Sequence, residues 1–395
     1  MNKPSYLIAA SSGRALAASA HRAGLPVHVV DLFADRDTRR YAHTARVAGT
    51  LRDGFDPAWL VERIGQLRQS QNLEGLVVGS GFEDRPELLE LLSEHCRLLG
   101  NPASTVRLVK DPAYFFSLLE RLGIPYPETV QQPANHRTGW LIKRIGATGG
   151  DHIRLLKPGE IGKPGYYLQR YIEGRPYSVV FLADGKGARI IGYNELWQAP
   201  GFEPTPFKYG GAVSLPEMDK GLIDKLTEAI RALVAAFELR GLCGLDLLVD
   251  ADRRFYVLEI NPRPPATFEL HEGRVSLFQQ HLCACRGSLP AEMPAVEIPE
   301  ARAHAVLYAA RPIEVKEEID WPVWASDLPT SGTSIEQGEP VCTVHARART
   351  PEHARHLVIE RLIWLESKLL WRAAAYSFIA SATALKRPAS RTSTH

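Results

Sequence analysis

Two apolar runs joined by a short polar turn, each interrupted by one acid, constrain this chain more than any other feature. Cys243–Val249 and Phe255–Ile260 flank Asp250-Ala251-Asp252-Arg253, a composition that reads as a hairpin of two antiparallel strands. Pairing the runs sets Asp246 and Glu259 on neighbouring strands, facing the same way. Glu259 and Asn261 stand two apart on one strand, so their side chains leave on one face. Such an oxygen set suits a hard cation. Mg²⁺ is held by one or two carboxylates and completes its octahedron with phosphate and water oxygens. Arg263, two residues further on, offers a planar fork for a phosphate or carboxylate on which charge develops.

The rest of the chain has room for two or three domains in its 395 residues. The first hundred residues alternate strand and helix: strands at Tyr6–Ala10, Val27–Val30 and Leu76–Val78, helices over Gly13–Ala23, Ala58–Leu67 and Pro86–Leu99. That rhythm predicts a parallel sheet with right-handed crossovers. The first turn, Ala10-Ser11-Ser12-Gly13-Arg14, lacks the GxGxxG that would bring backbone to a pyrophosphate, so Asp31 is read as a strand-end acid. Asp111–Leu122 reads as a helix with Pro112 in its first turn. Strands follow at Trp140–Lys143, Tyr166–Ile172 and Tyr177–Leu182, then an amphipathic helix over Leu222–Phe237. Short β segments at Ala303–Tyr308 and Val341–Val344 precede a long helix over about Glu352–Trp371.

Charge and cysteine usage exclude several classes. Lys and Arg number 47 against 45 Asp and Glu, a balance that builds neither a nucleic-acid groove nor an anionic-membrane surface. No run approaches the ~18 apolar residues of a membrane span, and the first residues are too briefly apolar for a signal peptide. The five cysteines, Cys96, Cys243, Cys283, Cys285 and Cys342, lack the paired spacings of a disulfide framework or zinc site; Cys283 and Cys285 are read as helix core. A reduced, cytoplasmic protein is expected.

A second group of residues fits a nucleotide. Lys143 ends a strand just before Gly146-Ala147-Thr148-Gly149-Gly150. Glycines let backbone N–H groups approach phosphate oxygens, and the adjacent ammonium neutralises them. Next comes Leu168-Gln169-Arg170-Tyr171-Ile172-Glu173-Gly174, a strand entering a turn. Its backbone can bond an adenine edge while Gln169 and Glu173 reach polar atoms of base and ribose.

In order and spacing, lysine and glycine-rich loop, Gln-x-Tyr-Ile-Glu-Gly, then Asp…Glu-x-Asn-Pro-Arg, the chain resembles the ATP-grasp superfamily over about residues 105–270. The resemblance implies ATP held between two α+β lobes. Lys143 would meet the α/β-phosphates, and Gly146, Thr148, Gly149 and Gly150 would form the phosphate lid. Gln169, Tyr171 and Ile172 would line the adenine and Glu173 the ribose. Asp246, Glu259 and Asn261 would hold Mg²⁺, with Arg263 as the catalytic arginine. Two departures stand out. Pro112 occupies the place where the family often has a lysine, so Lys110 is assigned to ATP instead. Pro176 stands where an acidic ribose ligand is often found.

The resemblance implies a fold of class α/β and α+β: a parallel-sheet pre-ATP-grasp domain (1–104), a two-lobed ATP-grasp domain (105–295, lobes about 105–175 and 176–295), a C-terminal β segment with a long closing helix (296–385), and a disordered tail (386–395). A narrower likeness rests on Ser11-Ser12-Gly13-Arg14, Asp31-Leu32-Phe33-Ala34-Asp35, Gly79-Ser80-Gly81-Phe82-Glu83 and Gly338-Glu339-Pro340-Val341-Cys342-Thr343-Val344. These are similar to the ATP-grasp group linked to one-carbon metabolism, which includes the tyramine–glutamate ligase of methanofuran synthesis. Ser12, Arg14 and Glu83 would then touch substrate, at loops that follow parallel strands. The implied activity is ATP- and Mg²⁺-dependent joining of a small carboxylate to a small amine through an acyl phosphate. An ATP-grasp kinase and a catalytically degenerate binding protein are the alternatives; biotin carboxylation is disfavoured because no biotin-accepting lysine motif appears. The apolar C-terminal helix offers a surface for a homodimer.

Overall fold

The computed structural model describes residues 3–131, 139–157, 159–160, 162–201, 205–290, 300–315 and 319–369. The expected tail, and the end of the C-terminal helix at Trp371, lie outside them. The amino-terminal region contains β1 (Ser5–Ala9), α1 (Arg14–Arg22), β2 (Val27–Asp31), α2 (Arg36–Tyr41), β3 (Thr44–Val47), a ribbon of β4 (Gly49–Thr50) with β5 (Gly54–Phe55), α3 (Pro57–Ser70), β6 (Leu73–Val78) and α4 (Pro86–His95). Strands β3-β2-β1-β6 form a parallel sheet in that order. Its central strands are continuous apolar runs because both faces are covered. The edge strand β3 was not legible: four residues long, it exposes Arg46 and Val47.

Helices α5 (Ala103–Lys110) and α6 (Pro112–Arg121) lead into a small antiparallel sheet of β7 (Thr129–Val130), β8 (Trp140–Arg144), β9 (Arg154–Leu155) and β10 (Tyr166–Arg170), ordered β7-β10-β8-β9. Asp111 caps α6 by accepting from the N–H of Ala113 at 2.9 Å, and Pro112 takes the first helical position. Strand β10 stops at Arg170, and Tyr171 and Ile172 run on as a link to the larger sheet.

That larger sheet contains β11 (Arg175–Asp184), β12 (Ala188–Gln198), β13 (Tyr209–Leu215), β14 (Arg240–Val249), β15 (Phe255–Asn261), β16 (Ala301–Tyr308), β18 (Ala325–Ser326) and β20 (Pro340–Ala348). Its order is β15-β14-β11-β12-β13-β16-β20-β18, and a ribbon of β17 (Ile313–Glu314) with β19 (Ser334–Ile335) lies apart. The carboxy-terminal strands thus continue the same sheet that carries Asp246 and Glu259, and they run to eight and nine residues. Strands β12 and β13 escape a reading by alternation because Gly192, Gly210 and Gly211 interrupt them. Gly192 is required by packing, since a Cβ there would collide with the His271 ring.

Helix α7 (Lys220–Phe237) presents Leu226, Ile230, Leu233, Val234 and Phe237 to Leu245, Leu247, Val257 and Ile260. The apolar neighbours of the two acids are thereby locked in place, each fully buried side chain contributing roughly 1.5–3 kcal/mol. Helix α8 (Leu277–Cys285) packs Phe278 and Leu282 in one cluster with Tyr6, Ile8 and Val29, fixing the amino-terminal sheet to the large one. Helix α9 (Pro351–Lys368) covers β16 and β20 with Ala354, Val358, Leu362 and Leu365. No helix among the described residues is long and apolar enough to cross a membrane.

Candidate active site

A cleft of about 760 Å³ runs between the small sheet and the large one and reaches the loops that follow β1 and β6. Strands β14 and β15 supply its floor. Asp246 lies directly opposite Glu259 in the antiparallel register, with a bulge immediately after Asp246. Asn261 donates its side-chain amide to Asp246 Oδ2 at 2.9 Å. The alternation that keeps Leu245, Leu247 and Ile260 in the core turns the three oxygen-bearing groups into the cleft.

Two carboxylates held face to face in a buried place repel. Burial and the charge of Glu259 push Asp246 up to about 7. Burial would raise Glu259 as well, but Lys110, then Lys143 and His152, outweigh it and hold that group at about 2. Lys110, at the end of α5, donates to Glu259 Oε2 at 3.0 Å. Glu259 still opens to the cleft, with 37% of its side chain exposed. Among the described residues no three His, Cys, Asp or Glu side chains converge as a closed cage. Two carboxylates and an amide oxygen are what an open Mg²⁺ site needs, since phosphate oxygens and water fill the rest. Two carboxylates set face to face and turned with an amide oxygen into the cleft mark the place for a cation, so the donor set fits the metal.

Arg263 is held from two sides. Its Nε donates to Glu83 Oε1 at 2.6 Å and its Nη2 to Asn261 Oδ1 at 3.3 Å. Glu83 is itself buried and accepts from the N–H of Gly81 at 2.8 Å and of Phe82 at 3.0 Å. It therefore anchors Arg263 and does not face the cleft. Asn101 is a further anchor that the sequence did not disclose. Its amide donates to the Pro262 carbonyl at 2.9 Å and to the Arg240 carbonyl at 3.0 Å, tying the start of β14 to the end of β15.

On the opposite wall, Lys143 pairs with Tyr167 and Leu141 with Gln169 in the register of β8 and β10, so all four share the cleft face. Lys143 Nζ donates to Gln169 Oε1 at 2.6 Å. Burial lowers Lys143 to about 8, and Glu259 and Asp246 offset only part of that. Thr148, Gly149 and Gly150 line the cleft, while Gly146 turns the loop at φ +74° beside Asp84. Gly150 stands at φ +80°, and a Cβ there would collide with the Phe207 carbonyl; the Gly149 carbonyl accepts from the N–H of Tyr209 at 2.9 Å. The glycine loop thus leans on the start of β13. Tyr171 and Ile172 line the mouth, whereas Glu173 is exposed and outside the lining residues.

The far end holds a polar network without periodicity in the sequence. Arg14 is nearly buried and donates through Nη2 to Asp327 Oδ2 at 2.9 Å and to Glu269 Oε1 at 3.2 Å; Ser12 donates to Asp327 Oδ1 at 2.9 Å. Tyr209 Oη lies 2.5 Å from His304 Nε2, and His304 Nδ1 lies 3.2 Å from Glu269 Oε1. Asp31, read as a strand-end acid, accepts from the N–H groups of Gly13 and Phe33 at 3.1 and 3.0 Å and so shapes the loop that carries Ser12 and Arg14.

Comparison with known proteins fits this geometry. Residues 109–267 match a family model described as an ATP-grasp domain. An uncharacterized protein of Methanocaldococcus jannaschii is 24% identical over 372 residues, 86% of this chain and 88% of that protein. The carbamoyl phosphate synthase large chain of Thermus thermophilus is 26% identical over 239 residues, 54% of this chain; the match spans 23% of that larger protein. Among solved structures, an L-amino acid ligase from Bacillus licheniformis superposes with TM-score 0.65 at 13% identity, covering 91% of this chain and 97% of that one. The biotin carboxylase domain dimer of Hydrogenobacter thermophilus 2-oxoglutarate carboxylase, solved with MgADP and bicarbonate, gives 0.68 at 13% identity, covering 92% and 89%. The chain thus has the ATP-grasp fold, and its residues 109–267 match the ATP-grasp domain.

Proposed function

We propose that the chain is a carboxylate–amine ligase that makes an amide through an acyl phosphate and releases ADP. The observation that carries this reading is the charge arrangement at one end of the cleft. Asp246 and Glu259 face each other across β14 and β15, Lys110 and Arg263 flank them, and a glycine loop with Lys143 stands opposite. Asp246, Glu259 and Asn261 would hold Mg²⁺, which would neutralise charge at the phosphates. Lys143 and the N–H groups of the glycine loop would hold the α/β-phosphates, and Lys110 would add a second ammonium. Gln169, Tyr171 and Ile172 would line the adenine.

In the first step a carboxylate oxygen of the acid attacks the γ-phosphorus, and the bond to the β-phosphate oxygen breaks to release ADP. Arg263, kept in place by Glu83, stabilises the charge that spreads over the transferring group. In the second step the amine attacks the acyl carbon, and phosphate leaves with the bonding electrons. The chain's own work is positioning and charge stabilisation, together with exclusion of water by the glycine loop.

The loops carrying Ser12 and Arg14 lie at the far end, where acid or amine would be selected. The narrower resemblance supports glutamate as the acid and a tyramine- or aminomethylfuran-type amine as partner, in the making of a furan-type one-carbon cofactor. Cytoplasmic location and a homodimer go with that reading. The test is a screen for ADP release over pairs of acids and amines, glutamate with arylalkylamines first. ADP and amide in equal amounts from one pair supports ligation. A phosphorylated product that persists without amide makes the protein a kinase, and absence of Mg-ATP binding makes it a binding protein.

A further inference from the structure

Tyr209, His304 and Glu269 come from three separate elements, yet they form one unbroken chain of side-chain contacts. Tyr209 opens β13, His304 sits within β16, and Glu269 lies on the 3₁₀ helix Ala266–His271 that follows Arg263. All three line the cleft. We propose that Tyr209 is the catalytic group that takes the proton from the attacking amine in the second step, relaying its own proton to His304, with Glu269 positioning the imidazole. This inference rests on the ligase reading above.

Three observations support it. The first is place: the Tyr209 N–H bonds to the Gly149 carbonyl at 2.9 Å, so the residue starts its strand beside the loop that would cover a reactive acyl phosphate, and it lines the cleft. The second is fixation. Tyr308 Oη donates to the Tyr209 carbonyl at 2.8 Å, Lys208 lies 4.4 Å over the Tyr308 ring, and Arg14 holds Glu269 from behind. The third is direction. Glu269 stays ionised because Arg14, His345 and His304 outweigh its burial, so it can only accept, and His304 must carry its proton on Nδ1. In the neutral tautomer with that proton on Nδ1, His304 Nε2 accepts the Tyr209 O–H across the 2.5 Å contact. Tyr209 itself stays a neutral phenol, raised well above its usual range by burial and by Tyr308, Glu269 and Asp246. It therefore acts by passing a proton on and does not stand as a phenolate. The remaining charged or titratable groups around the chain are His345, whose ring lies 6.3 Å from that of His304, and Asp327, paired with Arg14.

The amine arrives as R–NH₃⁺ and gives one proton to Tyr209 Oη while the phenolic proton passes to His304 Nε2. The free amine forms the C–N bond, the bond from acyl carbon to phosphate oxygen breaks, and the leaving phosphate takes the second proton. Imidazolium beside Glu269 returns its proton through Tyr209 to solvent once the product leaves.

The experiment has two arms. Wild type, Tyr209→Phe and His304→Asn are each given Mg-ATP, a pool of amino acids as acids, and either hydroxylamine or a pool of primary alkyl- and arylalkylamines. Hydroxylamine is a weak base that arrives already unprotonated, so trapping as hydroxamate needs no relay. The expected result is hydroxamate within about threefold of wild type and amide formation slowed by about 10²-fold or more, the usual size of a general-base contribution. In the second arm, ¹⁵N-histidine NMR of the ligand-free chain should find His304 protonated on Nδ1, with its Nε2 resonance moved by Tyr209→Phe. Equal loss of hydroxamate and amide, unchanged amide rates, or His304 protonated on Nε2 would each overturn the relay. No hydroxamate and no amide from wild type would instead remove the ligase reading on which it stands.

Discussion

Replacing Arg14 by alanine should destabilise the fold far more than a surface charge change would. Its side chain is 9% exposed and holds Glu269 and Asp327, whose side chains are 13% and 18% exposed. Removing the cation leaves two acids together in a nearly dry place, and breaking a buried pair from one side costs about 3–5 kcal/mol. For a chain of this size that is a fall in Tm on the order of 4–6 °C, readable by differential scanning calorimetry. The pH dependence has a definite sign. Burial would raise both acids, but Arg14 pulls them below their ordinary values, with His345 and His304 also acting on Glu269. Groups with depressed folded values stabilise above the unfolded carboxylate range, about 4, and lose that contribution as pH falls through the folded value. The gap between wild type and Arg14→Ala should therefore be full at pH 7 and close only as pH falls below about 4. Arg14→Lys should recover part of it. A variant that melts within a degree of wild type at pH 7 would refute the buried-cluster account.

Three further outcomes follow from the cleft. Glu259→Gln should abolish turnover with the circular dichroism spectrum intact, because it removes a charge from the metal set; near-normal activity in saturating Mg²⁺ would remove Glu259 from that role. Lys143→Ala should raise the KM for ATP about 10- to 100-fold, the worth of one charge-assisted contact. In wild type, with Lys143 lowered to about 8 by burial, that KM should climb between pH 7 and pH 9; a flat profile would contradict the assignment. Gly150→Ala puts a side chain against the Phe207 carbonyl at φ +80°, a backbone costing about 1–2 kcal/mol for a non-glycine residue. ADP release should then outrun amide formation, and an unaltered ratio would mean that the loop shields nothing.

What could be read from the sequence follows local periodicity. Asp246, Glu259 and Asn261 were legible because period-two alternation fixes which face a side chain takes, and the register of β14 with β15 places the two acids directly opposite each other. The rhythm of the first hundred residues likewise disclosed the parallel sheet. Other features depend on distant contacts. Nothing near Tyr209 announces His304, 95 positions away, and only the β13–β16 pairing makes them neighbours. Arg14 and Glu83 drew notice as loop residues beside parallel strands. Their partners Glu269, Asp327 and Arg263 lie 180 to 313 positions further along, where no spacing rule reaches. Strands β12 and β13 were hidden because close packing put glycines where alternation would have shown.

The central claim is that a carboxylate is activated as an acyl phosphate in this cleft. Running the reaction with the acid's carboxylate labelled with ¹⁸O, and with its productive amine, tests that claim most directly. ADP should be the nucleotide product, with one labelled oxygen in each inorganic phosphate and the other retained in the amide. AMP and pyrophosphate in place of ADP, with the label in AMP, would contradict it.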